Sequence, residues 1–86
     1  MKIRINNLEF REYTSTKKDK PLYEIVKWFE EINAIPFCIV IAFIEKGSED
    51  WGLRSVGERL LELTPEEWED FHQIYTLGQS KLNKLK

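Results

Sequence analysis

The sequence predicts an α+β fold, in which an antiparallel sheet of three to four strands carries one long C-terminal helix packed on one face. Three observations lead to this prediction: strand-like apolar patterns before residue 63, a helix-start signal at residues 64–67, and an apolar stripe at helical spacing after it. The 86 residues suit a single domain over 1–86, with the sheet at about 2–63 and the helix at about 65–82.

Extended structure is predicted for residues 2–13. Apolar residues at positions 3 and 5, and then at 8 and 10, alternate with charged residues, and the phase changes at Asn6-Asn7. Because asparagine tolerates positive φ, this pair is either a two-residue hairpin turn or a bulge within one longer strand. The polar residues 14–20 then predict a solvated loop.

Residues 22–29 fit two structures. Leu22, Ile25, Val26 and Phe29 have the spacing of a helix face, whereas the segment as a whole is rich in the β-branched and aromatic residues typical of strands. We favour the strand.

The strongest strand signal is the apolar run at 37–45, which follows Pro36 and predicts a central strand. A turn at 46–50 and a return strand at 51–56 have hairpin spacing. Residues 60–63 are expected to extend the edge of the sheet.

The start of the helix is the clearest local signal. Thr64 is placed to cap the helix, Pro65 occupies its first position, and Glu67 completes a capping box. Gly78 either permits close approach of a neighbour or ends the firm part of the helix. An apolar stripe repeats after the cap, formed by the following residues with Ile74 beside them: Trp68, Phe71, Tyr75, Leu82 and Leu85.

Residues that carry chemistry are few. Cys38 lies in an apolar run, which predicts a buried small hydrophobic residue, and His72 lies beside the helix stripe, which predicts partial exposure. One Cys and one His do not make a zinc site, and the four glycines form no phosphate loop. We therefore predict no enzyme activity, no cofactor and no metal.

The hydropathy pattern predicts a cytoplasmic protein. Charged and amide residues interrupt any signal-peptide core near the N-terminus. The apolar run at 37–44 is far shorter than the roughly twenty residues that span a bilayer. No membrane association is expected.

Charge is distributed unevenly along a chain whose net charge is -2. Residues 45–70 carry a net charge of -6, whereas 1–28 and 71–86 each carry +3. The acids at 62–70 exceed what helix capping needs, and their mutual repulsion favours a basic partner. The same acidity makes direct nucleic-acid binding less expected. The predicted partner-binding residues are Glu58, Arg59, Glu62, Glu66, Glu67, Glu69 and Asp70.

A longer motif covers the same region. Residues 56–67 read VGERLLELTPEE, residues 25–28 read IVKW, and Cys38 stands near the start of the next strand. In order and spacing, residues 23–82 resemble small phage and prophage proteins of Gram-positive bacteria, whose pattern runs roughly V-G-(D/E)-R-x-L-x-L-T-x-E-E before an aromatic-rich helix. Leu60 departs from the proline that these proteins often have, and the tract that they often carry between the second and third strands is missing. The resemblance implies a mobile-element origin and action in bacterial cytoplasm.

Two functions follow as expectations. Small phage proteins without catalytic residues commonly occupy host machinery, so the first is a non-enzymatic protein that binds and modulates a host protein, as anti-CRISPR and other anti-defence inhibitors do. The alternative is a nucleic-acid-associated accessory protein that stacks bases on sheet aromatics. Open sheet edges and three tryptophans are also compatible with a homodimer. The basic residues assigned to the alternative are Arg4, Arg11, Lys17, Lys18 and Lys20.

Overall fold

Five strands precede one long helix in the computed structural model, which describes residues 2–13, 22–46 and 51–84. Each strand pairs antiparallel with the next, so the sheet order is the chain order. The predicted α+β class, with an antiparallel sheet and a single C-terminal helix, is confirmed, but the sheet has five strands rather than three or four. The elements are β1 (Lys2–Ile5), β2 (Leu8–Glu12), β3 (Leu22–Phe29), β4 (Phe37–Lys46), β5 (Trp51–Ser55), a 3-10 turn (Arg59–Glu62) and α1 (Pro65–Asn83).

The strand count rises because Asn6-Asn7 is a hairpin turn. Asn6 adopts a φ of 53°, and Ile5 pairs directly with Leu8 across the turn. A bulge in one longer strand, the other possibility at the sequence level, is therefore ruled out. The short polar turn divides residues 2–12 into the first two strands.

Residues 22–29 form β3, as favoured from composition and from the resemblance carried by residues 25–28. This strand lies between β2 and β4, and Ile25 and Val26 are both fully buried although they are adjacent. A strand buried on both faces need not alternate, which explains why its apolar residues also matched a helical spacing. Opposite the pair Ile25 and Val26, the register of β4 shifts, so that Ile41 is left between the paired residues Val40 and Ala42.

The prediction that residues 60–63 extend the sheet edge is wrong. The chain leaves β5 through Gly57, whose φ of 55° suits a residue without a side chain, and enters the 3-10 turn. Arg59 Nη1 donates to the carbonyl oxygen of Val40 at 2.6 Å, which ties this turn to β4. The predicted loop at 14–20, most of the predicted turn at 46–50, and Leu85 lie outside the described residues.

The helix packs on one face of the sheet, mainly over β1 and β2. It buries Phe71, Ile74, Gly78 and Leu82 against the fully buried sheet residues, which include Phe10. Each large apolar side chain buried in this way contributes roughly 1.5–3 kcal/mol. Gly78 permits a close approach: a Cβ there would lie 2.5 Å from Cε2 of Phe10, and the helix continues beyond it.

The one histidine and the one cysteine of the sequence lie in different environments. His72 is exposed on α1, as predicted. Cys38 is half-buried rather than buried, and in β4 it lies opposite Trp28, on the sheet face away from the helix. Within the described ranges, no helix is both long and apolar enough to cross a membrane.

A candidate acidic binding cleft

An open cleft of about 880 Å³ lies where three parts of the chain meet: the β1–β2 turn, the end of β3 and the start of α1. Six carboxylates and one ammonium group line it among the described residues. This imbalance makes the cleft a concentration of negative charge, which field focusing in a concave surface increases. The charged lining residues are Lys27, Glu30, Glu31, Glu66, Glu67, Glu69 and Asp70.

The helix side of the cleft is set by the predicted capping box, which the structure confirms. Thr64 Oγ1 accepts from the backbone N–H of Glu67 at 3.1 Å, and Glu67 Oε1 accepts from the backbone N–H of Thr64 at 3.0 Å. Such a cap stabilises a helix by about 1 kcal/mol. It also defines where the first turn begins, and thereby where the acids of that turn point.

The β1–β2 turn is fastened to the helix start by two amide groups. Asn6 Nδ2 donates to Asp70 Oδ2 at 2.9 Å, and Asn7 Nδ2 donates to Glu67 Oε2 at 2.6 Å. Hydrogen bonds to charged acceptors are stronger than those between neutral groups. These contacts join residues more than fifty positions apart in the sequence and hold two walls of the cleft together.

Glu67 forms the floor of the cleft and is only 8% exposed. Lys27 Nζ lies 3.1 Å from Glu67 Oε1 and 3.0 Å from Oε2. Burial alone would raise the pKa of Glu67, but hydrogen bonds from the Thr64 backbone, Asn7 and Lys27 outweigh it and lower the pKa from 4.5 to about 2. Glu67 is therefore ionised, and its oxygens are already occupied by groups of this chain.

The remaining acids of the cleft differ in their partners. Arg4 Nη2 donates to Glu30, and Asp70 accepts from Asn6. Glu31, Glu66 and Glu69 are exposed and have no ion pair or side-chain hydrogen bond in the part of the chain that the structure describes. These three carboxylates carry the charge that a ligand of the cleft would meet.

The structure brings together four of the seven sequence-predicted site residues. Glu66, Glu67, Glu69 and Asp70 line the cleft. The other three do not: Glu58 and Glu62 lie exposed beside or on the 3-10 turn, where Arg59 is engaged with β4.

Glu30 and Glu31 were missed from the sequence. They directly follow β3, and a short acidic pair after a strand carries no signal of its own. Only the docking of the β1–β2 turn onto α1, beside the end of β3, brings them to the cleft.

The sheet face opposite α1 also carries charge, but the charge is paired. Glu9 and Glu24 are only 2% and 5% exposed. Arg11 Nε donates to Glu24 Oε1 at 2.7 Å, and Arg11 Nη1 lies 3.8 Å from Glu9 Oε1, which also accepts from Trp28 Nε1 at 2.9 Å. The hydrogen bond to Glu24 raises the pKa of Arg11. Lys2 Nζ lies 3.3 Å from Glu9 Oε2, without hydrogen-bond geometry.

The described acids of the cleft do not form a metal-binding group. Across residues 2–13, 22–46 and 51–84, no three His, Cys, Asp or Glu residues are grouped so as to hold a metal ion. The cleft acids are spread over a surface instead of converging on one point, an arrangement that suits several separate cationic groups.

No known protein family, curated protein or solved structure matches the chain.

Proposed function

We propose that this chain is a non-enzymatic binding protein that engages a basic surface of a partner protein through the acidic cleft. The observation that carries the proposal is the set of Glu31, Glu66 and Glu69, which line one cleft and have no cation beside them among the described residues. Lys or Arg side chains of a partner would relieve the repulsion among these carboxylates and would steer the two proteins together.

The resemblance to phage and prophage proteins extends the proposal to the setting. The partner is then a host protein, the place of action is the bacterial cytoplasm, and the effect is modulation of the host protein, as by an anti-CRISPR or other anti-defence inhibitor. A basic surface that normally binds nucleic acid is the kind of host surface that the charge of the cleft suits. This step rests on the sequence motif at residues 56–67 and on the charge of the cleft.

Charge reversal tests the proposal. The cleft variant combines Glu31→Lys, Glu66→Lys and Glu69→Lys, and the matched control combines Glu12→Lys, Glu58→Lys and Glu62→Lys, which are exposed acids outside the cleft. Both variants change the net charge equally. Tagged proteins are used to capture partners from a Gram-positive host lysate, with quantification by mass spectrometry and circular dichroism as the check of folding.

The expected result is a basic host protein that the wild type and the control capture and that the cleft variant captures at least about tenfold less well. Equal losses in both variants would mean that binding follows net charge and not the cleft. Unchanged capture by the cleft variant would remove the cleft as the binding site.

A second candidate, the nucleic-acid-associated accessory protein, has one observation in its favour. On the sheet face opposite α1, the Arg4 guanidinium lies 5.4 Å from the centre of the Trp28 ring, and Tyr13 packs edge-on against Phe43. Its support is weaker because Arg4 and Arg11 already pair with carboxylates, while Lys17, Lys18 and Lys20 lie outside the described residues.

Tryptophan fluorescence tests this second candidate. Titration with oligothymidylate at low salt should change the emission of Trp28 if bases stack on this face, and the change should weaken as salt is added. A Trp28→Phe variant assigns the signal. An unchanged spectrum at low salt counts against nucleic-acid binding, because phosphate contacts are strongest there.

A further inference from the structure

The turn between β3 and β4 exposes an apolar cluster next to the cleft. Ile32 and Ile35 are 92% and 89% exposed, and Phe37, at the start of β4, is also exposed. We call these three residues the apolar tip. The turn is closed by a hydrogen bond from the Ala34 N–H to the Glu31 carbonyl at 3.3 Å and passes through a left-handed Asn33 with a φ of 66°. Large exposed apolar side chains grouped within six residues of the chain are candidates for an interaction site.

The apolar tip adjoins the acidic cleft through Phe37. The Phe37 ring stacks on the Phe29 ring, with centroids 4.9 Å apart and planes 11° apart. Phe29 lines the cleft, and Lys27 Nζ lies 5.2 Å from the centre of its ring. Glu30 and Glu31, which line the cleft, directly precede Ile32 in the chain, so the acidic lining and the apolar tip are also neighbours in sequence.

We propose that the apolar tip is the second half of the binding surface and that the partner segment is amphipathic. Its Lys and Arg side chains lie over the cleft, and its large apolar side chains cover Ile32, Ile35 and Phe37. This inference rests on the proposed function, because the cleft determines the charge of the segment. It narrows the partner from any basic surface to a segment with basic and apolar residues side by side, as on one face of a helix.

Charge also argues against other occupants of the tip. Glu30 and Glu31 directly precede the tip in the chain, line the cleft, and would be repelled by an anionic lipid surface. Contact between the tips of two copies would bring the same acids together. A segment in which cations flank apolar residues matches both parts of the surface.

Two synthetic peptides with the same number of lysines test the inference. One is an amphipathic helical peptide of leucine and lysine, and the other has serine in place of every leucine. Titration calorimetry should show that the wild type binds the leucine peptide at least about tenfold more tightly than the serine peptide, because only leucine can bury the tip. The Ile32→Ser/Ile35→Ser variant should lose this preference and still bind the serine peptide.

Controls separate the inference from the proposed function. Leu61→Ser, an exposed apolar residue outside both cleft and tip, should keep the preference for the leucine peptide. The cleft charge-reversal variant should lose binding of the serine peptide. Because Ile32 and Ile35 are almost fully exposed, their replacement should leave the thermal unfolding midpoint within about 2 °C of the wild type.

The outcomes differ for the two proposals. Equal affinity of the wild type for both peptides, or a preference that survives Ile32→Ser/Ile35→Ser, would overturn the amphipathic partner while leaving the acidic cleft in place. Absence of binding to either peptide would overturn both. A wild-type dimer in light scattering that the tip variant makes monomeric would assign the tip to a second copy. Binding to phosphatidylglycerol vesicles that the tip variant loses would assign it to a membrane.

Discussion

The two faces of the sheet are both buried in places, but with opposite chemistry. Under α1, Leu8 and Phe10 of β2 are fully buried among apolar neighbours. On the other face of the same strand, Glu9 is almost as buried, although no helix among the described residues covers it. Long side chains of the sheet itself, including Arg11 and Trp28, cover Glu9 there.

This difference shows that burial in a small domain depends on two separate physical terms. Under the helix, stability comes from apolar area and close packing, so a change of volume is costly. On the opposite face, stability depends on the pairing of buried charge, in which only Glu9 Oε2 lacks a hydrogen bond among the described residues, so the loss of one partner is costly because it leaves the other uncompensated. The cleft combines both terms, because Glu67 is packed and paired at once.

The largest effect is expected under the helix. Phe10→Ala should lower the free energy of unfolding by about 3–5 kcal/mol, because it opens a cavity in the core. Gly78→Ala alone should cost about 1–3 kcal/mol through overpacking against the ring, and much less when Phe10→Ala is present. Urea denaturation of the four proteins measures this coupling, and strictly additive costs would contradict the contact between Phe10 and Gly78.

The next effect concerns the buried carboxylate of the cleft. Because the pKa of Glu67 is lowered from 4.5 to about 2 by folding, its contribution to stability is complete above about pH 5 and is lost as pH falls through 4.5 to 2. This loss amounts to up to about 3 kcal/mol. Urea denaturation between pH 5 and pH 2 should show it in the wild type.

Glu67→Gln provides the comparison for that pH dependence. This variant should be less stable at pH 7 and should lose less stability on acidification than the wild type does. Glu66→Gln, at the exposed neighbouring position, should follow the wild type. Parallel acid curves for Glu67→Gln and the wild type would contradict the role assigned to Glu67.

A smaller loss is expected on the face opposite the helix. Arg11→Met should destabilise the protein by about 2 kcal/mol, because Glu9 and Glu24 stay buried without their shared cation. The loss is no larger because the guanidinium is partly exposed and solvent already screens its charge. Adding Glu24→Gln should recover part of this loss, since one uncompensated charge is then removed. Thermal unfolding compares the stability of the single and double variants. A double variant that unfolds at a lower temperature than Arg11→Met would exclude this explanation.

The smallest effect is expected for an exposed ion pair on the same face. Arg54 Nη1 lies 3.7 Å from Glu45 Oε1, and the two side chains are 73% and 46% exposed. Arg54→Met should change the free energy of unfolding by less than about 0.5 kcal/mol. If Arg54→Met lowered the stability as much as Arg11→Met in the same thermal unfolding assay, the importance of the Arg11 ion pairs could not be attributed to their burial.

Much of the fold was predictable because its signals are local. The capping box at Thr64 and Glu67 lies within four residues, and the helix begins where it predicts. The first two strands alternate between apolar and charged residues, which predicts extended structure, although the alternation does not show that Glu9 is buried. The prediction of a sheet edge at 60–63 was wrong because a short apolar segment also suits a 3-10 turn, which Arg59 ties to β4 in the folded chain.

The part of the candidate site at the start of the helix was also predictable, because its signal is local. Glu66, Glu67, Glu69 and Asp70 are close in sequence, so their clustering was visible as a run of acids. Glu31 joins them only through tertiary packing. The sequence also does not show that Glu67 is paired while Glu66 and Glu69 have no ion pair among the described residues. That difference arises from the contacts of the Glu67 carboxylate with Asn7 and Lys27.

By itself the sequence determined the fold class, the start of the helix and the acidic character of the region around that start, because each depends on residues within one or two turns or strands of each other. The tertiary structure alone decided that the Phe10 ring packs against Gly78, that Glu67 is a buried and paired residue of the cleft, and that Phe37 of the apolar tip stacks on Phe29 of the cleft. The physical reason is the separation along the chain of the residues that interact. Capping and alternation act between near neighbours, whereas packing, burial and the pairing of charges act between residues that only the folded chain brings together.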